Sequence, residues 1–300
     1  MITLSDYCKK EYGTKLYKLS LSAGMSCPNR DGTCGFRGCI FCSEGGSGDF
    51  SVDISRGQNM TSDSAYNAYL DEQFCKAKTL VSNKYTGDKY IAYFQAYTNT
   101  YASIEYLRSV FIPVINREDV AVLSIATRPD CINDDVLALL CELNKTKPVW
   151  VELGLQTIHE KSVEYIRRGY ANNVYTDAVE RLRSIGIHVI THVILYLPDE
   201  CVDDMLSTVK FVVEKHSAGI KLSLLHVLKN TDLAADYYEN HFYIPSLEEY
   251  ADTLSRIMEV IPEDMVIHRL TGDAPKALLI EPLWTADKKK VLNYINKKLH

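Results

Sequence analysis

Apolar runs of β-strand length alternate along the chain with longer segments of helical periodicity. Six runs rich in Val, Ile and Leu predict strands at 16–25, 89–96, 120–126, 149–155, 187–195 and 220–228. Between them, apolar residues recur at three- and four-residue spacing, which predicts amphipathic helices that include 62–81, 161–168, 176–184 and 203–216. Near-continuous apolar strands separated by helices are typical of a parallel sheet that is covered on both faces.

Six strand–helix units favour an α/β fold of the open, partial TIM type, a (β/α)6 barrel smaller than the eight-unit form. We expect residues 1–230 to form this barrel and residues 231–300 to form a small C-terminal extension packed on it. Asn133 is a predicted helix N-cap, and Ser246 with Glu249 predicts a capping box. In the extension we expect short strands at 265–270 and 277–280 and a last helix at 286–298. An open side would admit a large substrate.

Composition narrows the class of protein further. A chain of 300 residues with 46% hydrophobic content can bury one large core. No apolar run approaches ~18 residues and the first residues lack a signal-peptide pattern, which predicts a cytoplasmic protein without a membrane span. The net charge of −6 is not the usual footprint of a nucleic-acid binder. The cluster of lysines near the C-terminus is more typical of a solvated helix face than of a binding patch.

Four of the nine cysteines lie close together, at Cys27, Cys34, Cys39 and Cys42. The loop that carries them is rich in Gly, Asn and Asp, so it can wrap around a bound group. Two kinds of site compete: three thiolates on a [4Fe–4S] cluster with one open iron, or four thiolates in a closed zinc site. Zinc sites usually pair two short knuckles, and only one is clear here, so the spacing favours the cluster. Free thiols in a reduced compartment are the third alternative.

The residues around these cysteines resemble those of the radical S-adenosylmethionine (SAM) enzymes. The likeness is strongest to a small bacterial subfamily, YhcC/YtqA, that is related to the catalytic subunit of Elongator. It runs along almost the whole chain, through CPNRDGT, CSEGGSGDF, FQAYTNTYA, ATRPDCI, VELGLQT, IRRGY, VILYLP, LLHVLKNT and HRLTGDAP. The resemblance implies a cluster loop at 27–42 with Cys27, Cys39 and Cys42 as ligands. Cys34 is an additional thiol inside that loop.

Polar residues follow the predicted strands at their carboxyl ends, where the active sites of parallel barrels lie. Gln95, Arg128, Glu152 and Gln156 occupy such positions, and we expect them to contact the cofactor. Packing alone does not readily explain a set of polar residues at one rim.

The resemblance also implies individual roles toward SAM. Gln156 and Arg168 are spaced as in oxygen-independent coproporphyrinogen oxidases, which implies that Gln156 meets the ribose and Arg168 the SAM carboxylate. Glu152 is then a further polar contact, and Phe41 packs on the adenine or shields the cluster. On helix pattern alone, Arg167 and Arg168 would be surface residues of an amphipathic helix.

Three further side chains are candidate catalytic residues. His192 and His226 are central in two predicted strands, and strand alternation can direct both into the barrel beside Tyr97. A single strand histidine is usually a hydrogen-bonded core residue, but two on neighbouring strands favour substrate contact.

The predicted activity is therefore that of a radical SAM enzyme. Its [4Fe–4S] cluster would cleave SAM to a 5′-deoxyadenosyl radical that abstracts hydrogen from a substrate. The Elongator-like branch makes the aminomethyl side chain of a tRNA wobble uridine the favoured substrate, with a reductase such as flavodoxin or ferredoxin as a further partner. A small metabolite is the alternative substrate, and a zinc-stabilised, non-redox binding protein is the alternative class.

Overall fold

A parallel sheet organises the protein, and the computed structural model describes it within residues 1–46, 48–56, 60, 62–85 and 87–299. The strands are β1 (Ile2–Thr3), β2 (Tyr17–Ser22), β3 (Val52–Asp53), β4 (Tyr90–Phe94), β5 (Val120–Thr127), β6 (Val149–Gln156), β7 (His188–Leu195), β8 (Gly219–Leu224), β9 (Val227–Leu228), β10 (Val266–Arg269) and β11 (Leu279–Glu281). Nine of them form one sheet in the order β1-β10-β8-β7-β6-β5-β4-β2-β3, in which every neighbouring pair is parallel. Strands β9 and β11 form a separate antiparallel pair.

The helices connect the strands, and most of them cover the outer face of the sheet, whereas the first helix packs on the inward-facing Val122 and Trp150. The helices are α1 (Leu4–Tyr12), α2 (Asp63–Val81), α3 (Ile104–Ile115), α4 (Asp134–Asn144), α5 (Glu160–Tyr165), α6 (Asn172–Ser184), α7 (Val202–Glu214), α8 (Asp232–Asn240), α9 (Leu247–Met258) and α10 (Lys288–Leu299). The predicted caps are confirmed: Asn133 Oδ1 accepts from the Val136 amide at 2.9 Å, and Ser246 and Glu249 form the capping box of α9. No described helix is long and apolar enough to cross a membrane.

The open, partial barrel is confirmed, and it is larger than six strands. Strands β2, β4, β5, β6, β7 and β8 are the six predicted ones, and β10 from the C-terminal region adds a parallel seventh. The N-terminal β1 then pairs with β10; we did not predict this strand, because two residues carry no periodic pattern. The single strand predicted at 220–228 is wrong in its extent, since β8 stops at Leu224 and β9 joins another sheet.

The two faces of the sheet differ in polarity. Outward-facing residues such as Leu123, Val151 and Leu222 are fully buried against the helices. The interior instead holds Lys18, Tyr93, Ser124, Glu152, His192 and Lys221. Closed TIM barrels fill this space with branched apolar side chains. A polar interior that is open on one side leaves room for a ligand.

Candidate active site

The cysteine loop follows β2 and is fastened to the segment after α5. Asn29 is 4% exposed, and its amide Nδ2 donates to the carbonyls of Arg167 and Arg168 at 2.7 and 3.2 Å. The same nitrogen lies 3.5 Å from Cys39 Sγ. Gly169 has φ +81°, and a Cβ there would lie 2.8 Å from Asn29 Oδ1. This attachment therefore requires glycine at position 169.

Three of the four clustered cysteines line one cavity of about 570 Å³: Cys27, Cys39 and Cys42, here called the cavity cysteines. Cys34 is exposed and lines a different groove, together with Phe36. Within the described part of the chain, no three His, Cys, Asp or Glu side chains converge on a point that would hold a single metal ion. Three thiols spaced around a cavity suit an iron–sulfur cluster, in which each thiolate binds a different iron.

Burial and one arginine set the electrostatics of the loop. Burial raises the pKa of the Cys39 thiol to about 12 and raises the pKa of Cys42, against the opposing effect of Arg30. Arg30 donates to the carbonyls of Cys42, at 3.2 Å, and Ser43. Its guanidinium stacks on the Tyr97 ring, 5.4 Å from the centroid. Buried thiols of high pKa become thiolates when a cation binds, so this donor set fits the cluster.

Phe41 and Tyr97 border the cavity near these thiols. Phe41 is half-buried and packs against an apolar cluster that includes Ile166 and Leu225. Tyr97 has φ +58° and donates its hydroxyl to the Glu44 carbonyl, so it lies against the loop and not deep in the barrel. The motif that continues from Cys42 to Phe50 includes Ser47, which lies outside the described residues.

The amides of Gln95 and Gln156 also border the cavity. Gln95 accepts a hydrogen bond from Ser20 Oγ at 2.9 Å. Gln156 ends β6 with φ +63°, and Tyr170 donates to its Oε1 at 3.4 Å and to the Gly154 carbonyl at 2.6 Å. The Gln156 amide is thereby held at the rim, where it can hydrogen-bond to a hydroxyl group.

Arg168 does not lie on a helix surface, and the surface interpretation is wrong. Helix α5 ends at Tyr165, and Arg168 is 1% exposed. Its guanidinium has five N–H donors, and all five are engaged: with the carbonyls of Leu155, Thr157 and Tyr170, and with Asn172 Oδ1, at 2.8 to 3.0 Å. No donor remains for a carboxylate. The SAM-carboxylate role that the resemblance implied for Arg168 is therefore corrected: this side chain fixes the backbone after β6.

Arg128 is a further arginine of the cavity, which Arg30, Arg168 and Arg269 also line. It is 7% exposed and makes a bidentate pair with Asp130 at 2.9 and 2.7 Å. A third donor reaches the Arg168 carbonyl at 3.0 Å, and the Tyr170 ring lies 4.8 Å from the guanidinium carbon. Three of its five donors thus have partners among the described residues, and its side chain lines the cavity.

Glu152 lies at the centre of a buried network inside the barrel. Its carboxylate is fully buried and accepts from Lys18 at 2.5 Å, Ser124 at 2.7 Å, His192 at 2.8 Å and Lys221. Because both oxygens are occupied, the predicted direct contact of Glu152 with SAM is corrected to an internal, structural role.

The network carries more positive than negative charge. Burial acts to raise the pKa of Glu152, but Lys18 and Lys221 hold it well below its usual range. Burial, with Lys221 nearby, lowers the pKa of His192 to about 4, so this imidazole is neutral at pH 7. Lys221 also donates to the Tyr93 hydroxyl at 3.0 Å. Lys18 and Lys221 are not singled out in the sequence analysis, although each is a charged residue inside an otherwise apolar strand.

His226 lies between β8 and β9, not in a strand, and it lines the same cavity as His192. Its Nε2 atom is buried and has no hydrogen-bond partner among the described residues. Burial lowers the pKa of His226 to about 4, so it presents a neutral imidazole. A buried ring nitrogen beside a cavity can bind a polar group of a ligand.

The Radical SAM superfamily model matches residues 32–212, and the Radical_SAM C-terminal domain model matches residues 217–300. The chain belongs to the radical SAM superfamily. It is 43% identical to the uncharacterized protein YtqA of Bacillus subtilis (strain 168) over 297 residues, which cover 99% of this chain and 88% of YtqA. The resemblance seen in the sequence is confirmed. Enzymes of this superfamily use a [4Fe–4S] cluster and SAM, so the zinc-stabilised binding protein is rejected.

Two more distant similarities were found, one in structure and one in sequence. The archaeal Elp3 of Methanocaldococcus infernus, with an N-terminal deletion, superposes with a TM-score of 0.62 at 15% identity; the match covers 99% of this chain and 64% of that one. A tRNA uridine(34) acetyltransferase of Methanocaldococcus jannaschii is 24% identical over 163 residues, which cover 53% of this chain and 29% of that protein.

Proposed function

We propose that this radical SAM enzyme abstracts hydrogen from the aminomethyl side chain of a modified wobble uridine in tRNA. The observation that carries the substrate class is the similarity to a tRNA uridine(34) acetyltransferase, which spans 163 residues. The open barrel supports it, because an anticodon base can leave its stack and enter a cavity from the side.

The cavity cysteines hold the cluster in this proposal. When bound, the cluster supplies the electron that cleaves SAM into methionine and a 5′-deoxyadenosyl radical. Gln156 binds the ribose hydroxyls through its amide, and Phe41 packs beside the adenine. Arg128, which has donors left over, takes the SAM carboxylate in place of Arg168.

The substrate side of the cavity is polar. His192 and His226 present neutral rings, so they hydrogen-bond to a base without adding charge. Tyr97 closes the cavity on the side of the cluster loop. We assign residues 1–230 to the barrel with its cluster loop and residues 231–300 to an extension packed on it, and we expect flavodoxin or ferredoxin to supply the electron.

A small metabolite is the second candidate substrate. The cavity measures about 570 Å³, and in this proposal the cluster and SAM occupy part of it, so the remaining space suits a small substrate. The net charge of −6 also disfavours contact with a polyanion over the whole surface.

Mass spectrometry of tRNA nucleosides tests the proposal. Cells lacking the gene should accumulate one wobble uridine that carries an unprocessed aminomethyl side chain. Treating this tRNA with reduced enzyme and SAM should convert the nucleoside and release 5′-deoxyadenosine. If the nucleoside profile is the same in both strains, and the enzyme does not alter that tRNA, the substrate is not tRNA.

A further inference from the structure

We infer that five lysines at the mouth of the cavity bind the phosphate backbone of the RNA substrate. They are Lys229, Lys276, Lys288, Lys289 and Lys290, here called the lysine rim. The inference rests on the proposed function, because it requires that the substrate is an RNA. It adds a binding surface that lies outside the cofactor and base sites.

Charge is distributed unevenly along the chain. Residues 265–300 hold seven Lys or Arg against three Asp or Glu, a net charge of +4. The preceding 264 residues hold 26 basic against 36 acidic side chains, a net charge of −10. A basic surface on an otherwise acidic protein concentrates a polyanion at one place and repels it elsewhere.

Contacts place three lysines of the rim beside the cavity, and Lys289 and Lys290 directly follow one of these, Lys288, in the chain. Lys288 pairs with Asp273 at 2.5 Å, and Asp273 and Pro275 both line the cavity. Lys276 directly follows Pro275 in the chain. Lys229 follows the cavity-lining Leu228 and donates to the Ala277 carbonyl at 2.9 Å. RNA bound along this edge would therefore have a nucleotide next to the opening.

The three lysines at the start of α10 are not explained by a contribution to the stability of that helix. Lys288, Lys289 and Lys290 occupy the first turn of α10, where the helix dipole favours acidic side chains. Helices α4, α7 and α9 follow that preference and begin with two acidic residues each in their first turns. All three lysines are exposed, and no ion pair is seen for Lys289 or Lys290 within the described part of the chain. Their placement opposes the dipole, which favours a role in binding anions.

A triple variant tests the inference, Lys276→Gln with Lys289→Gln and Lys290→Gln. These three side chains make no ion pair with any described residue, so their replacement leaves the Lys288–Asp273 pair intact. The matched control removes three exposed lysines outside residues 265–300, Lys15→Gln, Lys145→Gln and Lys210→Gln. Lys145 follows α4 and Lys210 lies on α7, and none of the three control lysines makes an ion pair with a described residue.

Binding is measured by fluorescence anisotropy with tRNA from cells lacking the gene, over a range of salt concentrations. Three lost phosphate contacts should lower the salt slope by about 2 and weaken binding about 100-fold at 0.1 M salt. The control should bind like the wild type. Release of 5′-deoxyadenosine from SAM in the absence of tRNA should be equal in all three proteins, because the cofactor site is untouched.

Other outcomes separate the two proposals. If the wild type binds tRNA and the triple variant has the same affinity and salt slope as the control, the lysine rim is not an RNA surface, although the proposed substrate stands. If the wild type binds no tRNA, both proposals fail. Equal tRNA binding together with slower reduction by flavodoxin would assign the rim to an acidic electron carrier and overturn the inference.

Discussion

Glu152→Gln should destabilise the protein strongly, because Glu152 is the counter-charge for two lysines inside the barrel. Its carboxylate is 0% exposed and accepts hydrogen bonds from Lys18, Ser124, His192 and Lys221. Glutamine has one oxygen and one NH₂ group in place of the two carboxylate oxygens. Its NH₂ group would therefore point at one of the lysine ammonium groups, and neither of these two donors could accept a hydrogen bond. Two ammonium groups would remain buried near each other without compensation.

The size of the effect follows from that geometry. Removing one partner of a buried ion pair costs about 3–5 kcal/mol. For a chain of this length, the unfolding entropy is about 0.6 kcal/mol per kelvin, so the midpoint of thermal unfolding should fall by about 5–8 °C. Burial already lowers the pKa of Lys221 well below its usual range. Loss of the carboxylate lowers it further.

Thermal unfolding followed by circular dichroism across pH gives the test. In the variant, folded Lys221 binds fewer protons than unfolded Lys221, so stability should rise as the pH is raised from 7 toward 10. Adding Lys221→Met should recover part of the loss, since it removes the stranded charge. Glu180→Gln, at an exposed position on α6, is the control and should change little.

The reasoning fails if the unfolding free energy of Glu152→Gln stays within about 0.5 kcal/mol of the wild type, which is the range of an ordinary surface substitution. It also fails if Lys221→Met gives no recovery. Either result would mean that the lysines do not depend on this carboxylate.

Three further predictions concern the ligands, SAM and pH. Alanine at any one of the cavity cysteines should abolish cluster retention, whereas Cys34→Ala should keep iron and acid-labile sulfide near normal; loss of iron only in Cys34→Ala would reverse the assignment. Arg128→Gln should weaken SAM binding about 10- to 100-fold in a titration. Arg168→Gln should instead lower the unfolding midpoint with SAM affinity retained in the folded protein, and the opposite pattern would restore the role that the resemblance implied. Since His192 and His226 have folded pKa values of about 4 against an ordinary value near 6.5, unfolding free energy should fall by up to about 3 kcal/mol for each as the pH drops from 6.5 to 4. His226→Asn should flatten that dependence, and an unchanged slope in urea titrations would show that His226 does not contribute.

The sequence by itself determined the class of fold and showed that four cysteines lie close together in one loop. Apolar runs and helical periodicity predict the six central strands, because a parallel sheet covered on both faces needs such runs wherever it occurs. The cluster loop is equally local, since its thiols lie within sixteen residues, from Cys27 to Cys42. Local patterns of this kind can be read without knowing the partners of each strand.

Only the tertiary structure decided which polar residues act together. The network joins Glu152 to Lys18, His192 and Lys221; these four residues come from four different strands and have no common spacing. Arg168 has the spacing of a cofactor ligand, yet a turn that Gly169 makes possible commits its donors to backbone carbonyls. Sequence spacing indicates which groups a chain carries. The hydrogen bonds that a buried group makes are set by the neighbours that folding brings within about 3 Å of it, and those neighbours decide whether its donors are free for a ligand.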